Sequence, residues 1–203
     1  MPLPVAGNLI GPPTPGGITP AVFVVAPGTP AVVTDNVATF SAMNGSANWA
    51  GNTLNITAAV GNYWYVPQAA GGHAHYCVVP GGGGGDAYVV SDNYGGCEYH
   101  EAYHAVSNTL AFFHVFRGNG LIARYTLAAG WVLRNVIRSY NIAQTLGTNW
   151  SISCINRAVN PPVVQSAFIR VTGAMPPLTV GAVDPGLAQY PAVERFTRWV
   201  WGG

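Results

Sequence analysis

Lysine is absent from this 203-residue chain, and charge of either sign is scarce, at 7% of residues. All eight basic residues are Arg, and the first of them is Arg117. Residues 1–116 carry five acids and no base, for a net −5, and residues 117–203 carry eight Arg and two acids, for +6; together these make the overall +1. Eight scattered Arg do not form the clustered cationic surface that nucleic-acid backbones require, which argues against a nucleic-acid partner. Missing lysines fit an Arg-favouring genome, a protein working in a host cytosol without ubiquitin acceptors, or an exposed assembly protein. No run of about 18 apolar residues occurs, so no membrane-spanning helix is expected. Met1–Thr19 has no basic region followed by an apolar core and is not a standard signal peptide. Three Cys (Cys77, Cys97, Cys154) allow at most one internal disulfide.

Glycine and proline, in contrast, are plentiful, at 26 and 16 residues. Residues 1–20, with Gly11-Pro-Pro-Thr-Pro-Gly-Gly, read as an extended arm, and residues 21–203 as a single domain. From 21 onward, short runs rich in Val, Tyr, Trp and Thr alternate with turn signals and read as strands: 21–25, 37–43, 54–60, 63–66, 75–79 and 87–91, then 110–116, 150–155 and 163–172. Gly81–Gly85 is a loop, and without a following Lys-Ser or Lys-Thr it is not a phosphate loop. Between 128 and 144, the residues Trp131, Val132, Val136, Ile137 and Tyr140 have the spacing of one helical face, which predicts a long helix. Pro191 ahead of Val193, Phe196, Trp199 and Val200 predicts a short C-terminal helix. The expected fold is therefore α+β: a mixed or mostly antiparallel sheet or sandwich with one long and one short helix.

All five His lie between His73 and His114, along with Cys77, Cys97 and four of the seven acids. In so charge-poor a chain this clustering is the main sign of chemistry. Three readings follow. In the first, Cys97 is a nucleophile. Gly95 and Gly96 precede it and could let backbone N–H groups converge on an oxyanion. His114 would be its base if strands of about 97–102 and 109–114 pair with these two residues opposed. Ser91, Asp92 and Asn93 are the candidates in sequence for a third group.

Gly96-Cys97, a strand, and then Phe112-Phe113-His114 on a returning strand resemble the Cys–His hairpin of the glutamine deamidase toxins of the cytotoxic-necrotizing-factor and Burkholderia-lethal-factor type. The resemblance covers about 25 residues. It implies a thiol-dependent amide hydrolase that converts a glutamine of a host protein to glutamate through a thioester, with Cys97 as nucleophile and His114 as general base. It also implies secretion or delivery into a host cell, and no cofactor. The chain has Tyr94-Gly95-Gly96 where that family has Leu-Ser-Gly.

The second reading is zinc. His100-Glu101-Ala102-Tyr103-His104 fits His-Glu-x-x-His, which on a helix places two ligands on one face with Glu activating water. A structural variant would draw on His75, Cys77, Cys97 and His100. A helix over 97–106 favours this reading, and a strand favours Cys97 with His114. The third reading is a non-enzymatic, self-assembling subunit of a shell, filament or coat, since sparse charge weakens the repulsion that keeps proteins monomeric.

Overall fold

A computed structural model describes residues 3–16, 19–20, 30–34, 38–40, 43–68, 72–118, 121–138, 149–173, 176–180 and 196–200. All regular structure among them is β. One sheet closes on itself. Its strands are β1 (Leu9–Ile10), β4 (Met43–Ala50), β5 (Thr53–Thr57), β6 (Tyr63–Tyr65), β8 (Asp86–Ser91), β14 (Asn149–Asn156), β15 (Val163–Thr172) and β16 (Leu178–Val180). The order β14-β8-β6-β4-β5-β1-β16-β15 returns to β14 through a β14–β15 ladder, giving an eight-stranded barrel. β2 (Thr19–Pro20) adds to β4, and β17 (Phe196–Val200) adds to β15. A second, open sheet has the order β13-β9-β10-β7-β3, with β3 (Ala38–Phe40), β7 (Ala74–Pro80), β9 (Glu98–His104), β10 (Thr109–Val115) and β13 (Trp131–Arg138). β11 (Arg117–Gly118) and β12 (Leu121–Ile122) form a small hairpin.

Two long strands make the barrel's corners. β4 pairs with β6 through residues 43–45 and with β5 through 46–50. β15 pairs with β14 through 163–170 and with β16 through 171–172. Where β6 departs, the side chain of Asn62 takes over its ladder role: Ala47 N donates to Asn62 Oδ1 at 2.9 Å, and Asn62 Nδ2 donates to Ala47 O at 3.0 Å.

Alternation then sorts the side chains into three layers. Ile10, Leu54, Tyr63, Tyr88, Val90, Trp150, Ile152 and Ile169 fill the barrel. The alternate residues of β8, β14 and β15 point out of the barrel onto the inner face of the open sheet, where Val89, Ile155, Val164 and Phe168 meet Cys77, Tyr99, Leu110, Phe112 and Ile137. On the outer face of that sheet, Ala74, Ala102, Ala111, Phe113 and Trp131 are covered by residues 30–34 and 121–130. These two covering segments hold each other through a Val33–Leu127 bridge.

The α+β expectation is overturned. The segment expected as a long helix is the strand β13 as far as Arg138, and residues 139–148 lie outside the described ones. A bulge between Leu133 and Asn135 explains the misleading spacing. It shifts the strand's phase, so Trp131 and Leu133 face outward while Asn135 and Ile137, an even number of residues further on, face inward. The expected C-terminal helix is likewise a strand, β17, over 196–200, with 181–195 outside the described residues. The opening segment does not stand off as an arm throughout: Leu3 and Ile10 are buried in the barrel, and β1 joins β5 to β16. The expected strand at 21–25 lies outside the described residues.

Phe112 is fully buried between barrel and sheet, whereas Val106 in the β9–β10 turn is 93% exposed. Phe112→Ala is expected to lower the unfolding free energy by about 3–5 kcal/mol and Val106→Ala to change it by less than about 0.5 kcal/mol, as read from urea titrations.

Candidate functional site

β9 is a strand over its whole length, so successive residues face opposite sides of the open sheet. Tyr99, Glu101 and Tyr103 face the barrel, while Glu98, His100, Ala102 and His104 face outward. His100 and Glu101 are thereby split between two faces. His100 and His104 share a face but stand four residues apart, roughly 13 Å along a strand. His104 caps the turn after β9, taking bonds from Ser107 N at 3.1 Å and Ser107 Oγ at 2.9 Å. Its ring also fills the space beside Gly130, which has φ +86°; a Cβ at that position would sit 2.3 Å from His104 Nε2. The structural zinc set divides in the same way, with His100 on the outer face and Cys77 and Cys97 in the inner layer. No group of three or more His, Cys, Asp or Glu is arranged to hold a metal among the described residues.

The β9–β10 register pairs Thr109 with His104 and His114 with Tyr99, so Cys97 falls two residues past direct opposition to His114. Ser91, the candidate third group, is the residue that reaches His114: Ser91 Oγ lies 2.8 Å from His114 Nδ1, and both residues are fully buried. His114 Nε2 has no hydrogen-bond partner, and Nδ1 faces Ser91 Oγ. Directly across the ladder, His75 has an unpartnered Nδ1. Tyr94 stacks on the His114 ring, with centroids 4.2 Å apart and planes 16° apart. It is locked there by Ser151 Oγ donating to its hydroxyl at 3.2 Å and by Asn149 Nδ2 donating to its carbonyl at 3.2 Å. The Gly95–Gly96 loop, with Gly96 at φ +149°, follows this inserted tyrosine and leads into β9.

Electrostatics match this burial. Desolvation pushes the His114 imidazole down to about 3, with the nearby His75 adding to the effect. Desolvation, helped by the charge of Glu98, pushes the Cys97 thiol up, opposed by a backbone hydrogen bond at Arg117. A nucleophilic thiol needs the opposite shift.

Two polar networks were missed in the sequence. In the first, Glu101 is fully buried between barrel and sheet. It accepts hydrogen bonds from Ser166, from Ser153 Oγ at 3.2 Å and from Asn135 Nδ2 at 3.2 Å, and Tyr99 OH lies 2.8 Å from Ser153 Oγ. The second lies on the outer face. His100 Nε2 is 2.9 Å from Glu98 Oε2, and His100 Nδ1 is 2.7 Å from Tyr125 OH. Arg117 Nη1 holds Glu98 Oε1 at 2.9 Å, and Arg138 Nε lies 3.6 Å from the same oxygen. The Glu98-x-His100 spacing could have revealed part of this network, because strand alternation puts both residues on one face.

Between about pH 3 and 6.5 the unfolded chain protonates His114 and the folded chain does not. Stability from this group is therefore complete above pH 6.5 and falls with acidification, by up to about 1.4 kcal/mol per pH unit. His114→Gln is expected to flatten the decline of urea midpoints between pH 6.5 and 4. Iodoacetamide with mass-spectrometric site assignment at pH 7 is expected to alkylate Cys97 at least about tenfold more slowly in the folded chain than in urea.

Compared with known proteins, the chain matches no family model, no curated protein and no solved structure, so no relative lends it a function.

Proposed function

We propose that the chain is a self-assembling subunit of a shell, filament or coat. The observation that carries this reading is the use made of the reactive cluster: Cys77, Cys97, Glu101 and His114 are all buried in the packing between barrel and sheet. Residues that a thiol hydrolase would present to a substrate serve here to join two sheets. A helix for the His-Glu-x-x-His metal motif is also lacking, since β9 is a strand.

The open sheet offers a place for a second copy of the chain. β13 is its edge, eight residues long, and pairs with no described strand other than β9. Edge strands expose unpaired N–H and C=O groups that template further pairing, and charged residues are the usual guard. On β13, Val132 and Leu133 are 45% and 43% exposed, while its charged residues, Arg134 and Arg138, come later in the strand. The low overall charge of the chain leaves little repulsion to oppose contact between copies.

Light scattering on the purified chain tests this. At micromolar concentration the particle mass is expected to be a multiple of 21.2 kDa. Val132→Lys combined with Leu133→Lys is expected to shift the population toward the monomer. A wild-type chain that stays monomeric across the concentration range would sink the assembly reading.

A further inference from the structure

The outer-face network of Glu98, His100 and Tyr125 lies on the opposite face of the sheet from the buried seam, beside the β13 edge that supplies Arg138. Its atoms form one continuous line, from the carboxylate through both imidazole nitrogens to a phenol, with contacts of 2.9 Å and 2.7 Å. We propose that Tyr125 is a base-assisted nucleophile for apolar acyl and sulfonyl donors, with His100 as its general base and Glu98 as the positioning residue.

Glu98 fixes which nitrogen of His100 carries the proton when the ring is neutral. Its Oε1 receives Arg117 at 2.9 Å and faces Arg138 at 3.6 Å, and its Oε2 faces His100. Burial raises this carboxyl, but His100, Arg117 and Arg138 more than offset that and leave it below the usual range. An ionised carboxylate only accepts hydrogen bonds, so His100 Nε2 must carry the ring proton. When the ring is neutral, Nδ1 is a lone pair, and the Tyr125 hydroxyl donates to it. Burial and the Glu98 charge push the Tyr125 phenol up, so it can attack only as a base takes its proton; a hydroxyl nucleophile, an imidazole base and an orienting carboxylate supply that, recognised by geometry rather than by position in the chain. The ring of Tyr125 stacks on Phe113 at 4.6 Å and packs in the apolar outer layer, which suits an apolar donor. Tyr125 is half-buried, and its chain neighbours Arg124 and Thr126 are exposed.

In the step proposed, Tyr125 Oη forms a bond to the electrophilic carbon or sulfur while the bond to the leaving group breaks. The phenolic proton moves to His100 Nδ1, where the new imidazolium faces the Glu98 carboxylate. That proton then departs with the leaving group.

An aryl sulfonyl fluoride reports this step directly, because the sulfur–fluorine bond breaks and a stable tyrosyl sulfonate remains for mass-spectrometric assignment. Tyr76 is the internal control: it is also half-buried on the outer face and also packs on Phe113, at 5.2 Å. Tyr125 is expected to be labelled at least about tenfold faster than Tyr76, and His100→Gln to slow it by about 100-fold. With the relay intact, the rate is expected to rise with pH less steeply than that of an unassisted phenol. An unassisted phenol instead gains roughly tenfold per pH unit up to pH 9. Glu98→Gln is expected to slow labelling and to alter that profile. Labelling of Tyr125 no faster than Tyr76, or a rate unchanged in folded His100→Gln, overturns the proposal. Should His100→Gln fail to fold, the wild-type pH profile decides, and a rate that climbs as steeply as that of an unassisted phenol overturns it.

Discussion

The buried carboxylate of Glu101 is the constraint around which the two sheets are arranged. It stands on the inner face of β9, away from water, and takes donors from three other strands: Ser153 of β14, Ser166 of β15 and Asn135 of β13. A buried acidic group is costly unless its acceptor sites are filled, and removing one partner leaves that cost exposed. The barrel must therefore present its serines at this height, and the open sheet must lie with β9 opposite the β14–β15 ladder. Even the bulge in β13 belongs to this arrangement. It turns Asn135 inward, opposite Glu101, in a strand whose preceding residues face out.

From that seam the remaining polar pieces fall into place. Tyr99 and Ser153 extend it on one side. Ser151, Tyr94, His114 and Ser91 form a parallel line along the same interface. These groups are hydrogen-bonded or stacked, and they register the barrel on the sheet where apolar packing alone would tolerate sliding. The outer face has a different character. Its polar line, Glu98–His100–Tyr125, is flanked by Arg117 of β11 and Arg138 of β13, with 43% and 44% side-chain exposure.

Much of the strand content was legible. Asn149-Trp-Ser-Ile-Ser-Cys-Ile-Asn alternates apolar and polar residues, and β7, β8, β10 and β15 lie close to their expected positions. The destination of the polar face was not legible. Alternation is normally read as core on one side and water on the other, yet Ser151 and Ser153 face a second sheet. β13 carries a helix-like spacing because a single extra residue shifts the phase of its apolar side chains. Ser91 meets His114, while Cys97 does not stand opposite it, because the β9–β10 turn spans 105–108 and slides the pairing by two residues. The Arg117 and Tyr125 contributions carry no local signal, since both come from segments that fold back over the sheet.

By itself the sequence determined the scarcity of charge, the β-rich alternation, the glycine-rich turns and the confinement of every His to 42 residues. These are local properties, set by composition and by a period of two. Only the tertiary structure decided that the alternate faces meet each other, that the barrel closes through β14 and β15, and that the cluster splits between a sealed seam and a partly open outer face. Ladder register and sheet stacking come from contacts between residues far apart in the chain, and a shift of one or two residues changes which side chains meet.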